Sequence, residues 1–196
     1  MEVALILSMK DMTMRGECIM QEALIQIVLY TIKENYHTEK DFYSSQLSIS
    51  QENWQRWKEG EISLKPKDEQ AIINLFTDYE WMLVQKVIRN ATFFPEVETH
   101  PVEEYLGIKF HVAKKWVNSG AAELAFQQEN EKETISQHRK KNSTVLKIDM
   151  NYDFWSYKDR IELSLPGIIQ QQIETEKQDL LEWFKENIED HYTVQE

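Results

Sequence analysis

The segment Leu47–Gly60 constrains the fold more than any other part of the chain. Trp54 and Trp57 are three positions apart and share one face of a helix. Gln51, Glu52, Gln55 and Arg56 point elsewhere. Ser50 has the hydroxyl that an N-cap needs, because it accepts from an otherwise unpaired amide of the first turn. Gly60 takes the left-handed conformation that closes a helix. A short helix with a buried aromatic edge and an outer edge of Gln and Arg has the form of one presented to the DNA major groove.

The flanking sequence supplies other helices for it to pack against. Ile25, Val28, Leu29, Ile32 and Tyr36 build one apolar stripe over a helix from about Gln21 to Tyr36. A short helix is expected over Glu39–Gln46, with Phe42 and Tyr43 inward. After the loop Gly60–Pro66 a single long helix is expected. Pro66 suits its first turn, Asp68 and Glu69 suit its positive end, and its apolar residues run to about Ile88.

Over residues 24–80 the chain resembles the Cro/repressor-like helix-turn-helix family. Ser44 matches the small residue where the second and third helices meet. Leu47 and Ile49 match the apolar pair of the turn, and Ser50-Gln51 the start of the recognition helix. Trp57 and Gly60 match its ending, and Pro66 before an apolar helix matches the next element. The chain departs from the family at Ser48, which replaces a turn glycine, and at Lys58, which replaces an acid. The resemblance implies that Gln51, Glu52, Gln55 and Arg56 face the groove, where Gln pairs with adenine and Arg with guanine. It implies phosphate contacts from Lys40, Lys58 and Lys65, which set position rather than sequence.

A second, briefer echo spans Pro101–Gly120, read as helix, turn at Gly107, helix and glycine stop. It is similar to the compact helix-turn-helix of excisionase-type regulators. Lys109, His111, Lys114 and Lys115 would form a second DNA-binding segment. The competing reading is a helical hairpin that packs on the first domain.

Charge bears on both segments. The net charge is −12, whereas nucleic-acid domains usually carry a basic face. Residues 20–91 hold 8 basic and 11 acidic side chains, and residues 144–196 hold 5 and 12. The excess acid therefore lies mostly away from the candidate segments.

Residues 1–19 read as a leader, with translation expected to start at Met20. Glu123–Ser143 is rich in Glu, Gln, Asn and Lys and reads as a solvated helix or linker. Thr144–Met150 and Arg160–Leu165 alternate apolar and polar residues, as a half-buried hairpin does. Between them lie Tyr152, Phe154, Trp155 and Tyr157, and a long helix is expected over about Ile168–Ile188.

No run of about 18 apolar residues marks a membrane span. One cysteine excludes an internal disulfide and fits a reducing compartment. The chain carries no zinc spacing, phosphate-cradling glycine loop, GxSxG or HExxH. No catalytic residue, metal site or cofactor is expected, and the chain does not read as an enzyme.

The expectation is therefore a cytoplasmic, mainly α protein. A helix-turn-helix bundle would occupy 20–91, a central helical segment and polar linker 92–143, and a small acidic α+β module 144–196, made of a hairpin plus a long helix. Its function would be sequence-specific DNA binding as a bacterial or phage-type transcriptional regulator. A homodimer is expected, with the C-terminal module holding a protein partner or effector. The alternative is a protein-interaction module that kept the scaffold without DNA binding.

Overall fold

The computed structural model describes residues 2–128, 143–152 and 157–166. Within them the chain is mainly helical, with seven α-helices and one three-stranded antiparallel sheet. The expected helix over 168–188 and the aromatic residues Phe154 and Trp155 lie outside the described residues. No described helix is long and apolar enough to cross a membrane. The chain forms two compact units, one running to Leu106 and the other from Gly107 onward.

In the first unit α1 (Glu2–Asn35) runs without interruption through Met20, although the sequence places a helix start near Gln21. Ala23, Ile25, Ile27, Val28 and Ile32 are buried along it. This stripe packs against α5 (Asp78–Ala91), whose Leu83, Val84, Val87, Ile88 and Ala91 are buried in turn. The two stripes remove apolar surface from water at about 25 cal/mol per Å².

Between α1 and α5 the chain folds into three short helices. Thr38 caps α2 (Glu39–Phe42) by accepting from the Asp41 amide. A single π-turn follows over Tyr43–Leu47. Ser48 then takes φ 56° and ψ 34°, left-handed backbone that a residue with a Cβ adopts only at a cost. Ser50 caps α3 (Gln51–Lys58) by accepting from the Asn53 amide at 3.2 Å. Gly60, at φ 72°, ends that helix. There the Glu61 amide donates to Arg56 O at 2.9 Å and the Gly60 amide to Trp57 O at 3.0 Å, which satisfies two terminal carbonyls.

The long helix expected from Pro66 is two helices. The first, α4 (Pro66–Ile73), stops before α5 begins at Asp78. A capping box forces the break: the Glu80 amide donates to Thr77 Oγ1 at 3.2 Å, and the Thr77 amide to Glu80 Oε2 at 3.0 Å. The apolar stripe continues across it, which is why periodicity alone reads one helix.

A short α6 (Pro95–Thr99) leads to α7 (Pro101–Ser119). The turn expected at Gly107 is absent. Gly107 sits inside one continuous helix, so the helix, turn, helix reading of 101–120 does not hold. One glycine costs a helix only about 1 kcal/mol, too little to break 19 residues with buried anchors. The positive φ falls instead at Gly120, 73°, just past the helix end.

The second unit contains the sheet, ordered β1 (Ala122–Gln128), β2 (Ser143–Asn151), β3 (Lys158–Pro166). The β2–β3 pair is the hairpin read from the sequence, while β1 replaces the solvated helix or linker expected from Glu123. In register, Leu124 lies opposite Ile148, and Ile148 opposite Ile161. Leu146, Ile148, Ile161 and Leu163 are buried on that face. The other face carries charge: Arg160 donates to both oxygens of Asp149 at 2.6 and 2.8 Å. Lys147 lies 3.7 Å from Glu162.

Candidate nucleic-acid interface

The candidate surface is α3, and its orientation follows from two indoles. Trp54 and Trp57 are both buried. Their rings stack with centroids 4.8 Å apart. Trp54 also stacks on Tyr43 at 5.8 Å and meets Phe42 edge-on at 6.0 Å, while Phe42 meets Tyr36 at 5.2 Å. This chain of rings joins the end of α1, α2, the π-turn and α3. Such pairs add about 0.5–1.5 kcal/mol each beyond the area they bury. The aromatic side of α3 is thereby locked, and the opposite side is turned out.

Gln51, Glu52, Gln55 and Arg56 are all exposed, and all four line one open surface depression. The structure therefore brings the four groove candidates together. Its polar contacts are less simple. The Gln55 amide donates to Glu59 Oε1 at 2.8 Å, and Arg56 Nε to Glu61 Oε2 at 3.0 Å. Both partners of the Arg56 pair are about half exposed, so the pair is worth about 0–1 kcal/mol and is screened by salt.

The three candidate phosphate contacts differ from one another. Lys58 Nζ donates to Glu39 Oε2 at 2.9 Å, on the same oxygen that accepts from Trp54 Nε1 at 2.7 Å. Burial pushes the Glu39 carboxyl up, but the bonds from Trp54 and Lys58 and the charge of Lys58 outweigh it. The group is held below its ordinary value. Lys58 is thus a structural counter-ion and is only partly exposed. Lys40 and Lys65 are exposed and make no ion pair among the described residues. Exposed Lys67, beside Lys65 at the start of α4, is a further cation that the sequence reading passed over. The signal for it was its place two residues into a helix that Pro66 starts.

The second candidate segment is only half a surface. Lys109 is buried, whereas His111, Lys114 and Lys115 are exposed on α7. With no turn at Gly107, these residues belong to the middle of a helix rather than to the start of a short, separately aimed one.

Among the described residues no three His, Cys, Asp or Glu side chains gather into a group able to hold a metal ion. Tyr152 and Tyr157 of the aromatic loop are exposed, and Tyr152 Oη donates to Asp159 at 2.7 Å.

No family model matches the chain, and neither a curated protein nor a solved structure is significantly similar to it.

Proposed function

We propose that this protein is a sequence-specific DNA-binding regulator of helix-turn-helix type, with α3 as the helix that enters the major groove. One observation carries the reading. A left-handed residue, Ser48, joins two short helices, and the second is capped at both ends with its aromatic edge buried and Gln51, Glu52, Gln55 and Arg56 exposed. An α-helix with its side chains is about 10–12 Å across, which fits a major groove about 12 Å wide. Gln51 and Gln55 offer amides to adenine, and Arg56 a guanidinium to guanine. Lys40 and Lys65 supply phosphate contacts.

The Arg56–Glu61 pair is compatible with this role because a guanine edge offers Arg56 two acceptors in place of one exposed carboxylate oxygen. Selection from a random duplex library, followed by binding measured against salt, tests the reading. The wild-type chain is expected to enrich a defined site and to lose affinity steeply as salt rises. Q55A/R56A is expected to lose that selectivity with an unchanged melt. Unaltered selectivity would remove α3 from the reading role.

A second reading has its own observation. Lys58 and Arg56 both hold acids of the same chain, and Glu52 and Glu59 stand on or beside the outer edge. On that reading the same scaffold is a protein-interaction module, and no duplex shows salt-dependent binding.

A further inference from the structure

Two long side chains on the outer edge of α3 are each held by an acid from the end of the same helix. Gln55 Nε2 donates to Glu59 Oε1 at 2.8 Å, and Arg56 Nε donates to Glu61 Oε2 at 3.0 Å. In both pairs the backbone repeats the link. The Glu59 amide donates to Gln55 O at 3.0 Å, and the Glu61 amide to Arg56 O at 2.9 Å. The first is the ordinary helical bond. The second exists because Gly60, at φ 72°, turns the chain back over the last turn. Each acid is thus fixed at its own backbone before its side chain reaches across.

These contacts leave the base-directed groups unused. Among the described residues the Arg56 side chain makes no hydrogen bond besides the one from Nε, so Nη1 and Nη2 keep their N–H groups. Those two nitrogens are a pair of donors for the O6 and N7 of guanine. Gln55 likewise keeps one N–H and its Oε1 unengaged there, the donor and acceptor that adenine N7 and N6 require. Either base can therefore be read with the acids still in place. Two carboxylates on this edge otherwise only oppose binding, since each repels phosphate.

We propose that Glu59 and Glu61 are positioning residues for base readout. Each restricts one long side chain in the free protein, so that Gln55 and Arg56 meet the base edges already aimed. The inference rests on the DNA reading of α3. Long side chains lose rotamer freedom on binding, and a contact that already limits that freedom reduces the loss. The same limit withholds Arg56 from stray phosphates, which a free guanidinium reaches from many rotamers. Orientation therefore acts on discrimination between bases, whereas plain charge acts on every duplex alike.

The experiment is binding of the full chain to the site that selection enriches, to that site with each base pair replaced in turn, and to a random duplex. E61A is expected to lower discrimination at one G·C pair by about threefold, within what an exposed ion pair supplies. Affinity for the random duplex should hold or rise. E59A is expected to act in the same way at a different pair, an A·T. E61Q keeps an acceptor for Arg56 Nε and should lose less than E61A. In the R56A background E61A should change discrimination nowhere, because Glu61 acts through Arg56. Both acids are exposed, so these variants test binding rather than folding, and unchanged melts check that. If E61A and E59A raise affinity for every duplex by the same factor, the acids only repel phosphate; the proposal is then overturned while the DNA reading stands. Discrimination lost equally with and without Arg56 would also overturn it. A wild type that prefers no site would remove the DNA reading itself, and the positioning role with it.

Discussion

Trp54 Nε1 donates to Glu39 Oε2 at 2.7 Å across 15 positions of sequence, and that oxygen also accepts from Lys58 Nζ at 2.9 Å. One carboxylate oxygen thus ties the start of α2 to the buried and exposed sides of α3. Trp54 is almost fully buried, but the Glu39 side chain is 43% exposed, so water partly replaces this acceptor if it is removed. E39A is expected to cost about 0.5–1.5 kcal/mol, the net contribution of a hydrogen bond. E39Q keeps an acceptor oxygen and is expected to cost less than E39A. Thermal melts of the two variants check the order, and equal losses would show that the indole bond is not what matters.

Ser48 predicts a gain. Left-handed backbone costs a residue with a Cβ about 1–2 kcal/mol, and glycine returns part of that through its larger unfolded-state entropy. S48G is expected to raise stability by about 0.5–1 kcal/mol, and S48V to lower it. Denaturant midpoints read both, and a destabilised S48G would mean that the serine hydroxyl holds the turn.

Gly107 separates two folds of the same residues. Inside a helix, with nothing within 4 Å of an added Cβ, G107A is expected to stabilise α7 by about 1 kcal/mol. At a turn requiring a positive φ the same change would destabilise. The sign of the shift in melting temperature decides between them.

On the sheet, the hydrogen bonds from Arg160 hold the Asp149 carboxyl below its ordinary value. Burial opposes them, and the charges of Arg160, Lys158 and Lys147 add to them. The folded value lies below the unfolded one, so this carboxylate stabilises the fold at any pH above the ordinary aspartate value of 3.8. That contribution fades as pH falls through the depressed value. D149N is expected to be less stable than wild type near neutrality and to lose less on acidification. Denaturant midpoints across the acid range measure the difference, and parallel acid limbs would exclude Asp149 as a source of acid sensitivity.

The parts of this fold that local chemistry specifies were legible in the sequence. Ser50, the Trp54–Trp57 spacing and Gly60 marked α3 to within a residue of its observed end. The alternation of Thr144–Met150 and Arg160–Leu165 marked the hairpin. Errors arose where two local signals disagreed. Thr77 and Glu80 spelled a capping box inside an unbroken apolar stripe, and the stripe hid the box. At Leu106-Gly107 the glycine suggested a turn, while the buried Tyr105, Phe110, Ala113 and Trp116 on either side held one helix. In β1 the Gln and Glu content concealed Ala122–Gln128, because an edge strand is specified by its neighbour β2 more than by its own residues. The outer edge of α3 was legible as a set of exposed residues, but its charge state was not. Glu39 and Glu61 neutralise Lys58 and Arg56 through contacts that no pattern within α3 encodes.

The stacked pair Trp54–Trp57 has an optical consequence. Two indoles 4.8 Å apart and inclined by 29° are close enough for their excited states to couple, which produces paired circular-dichroism bands of opposite sign. The chain has 6 tryptophans, but this coupled signal arises between two residues one helical turn apart in α3. It vanishes if either ring is replaced or if α3 unwinds. The helix thus contains its own chromophore, and its integrity can be followed in solution without a label while partners, salt or temperature are varied.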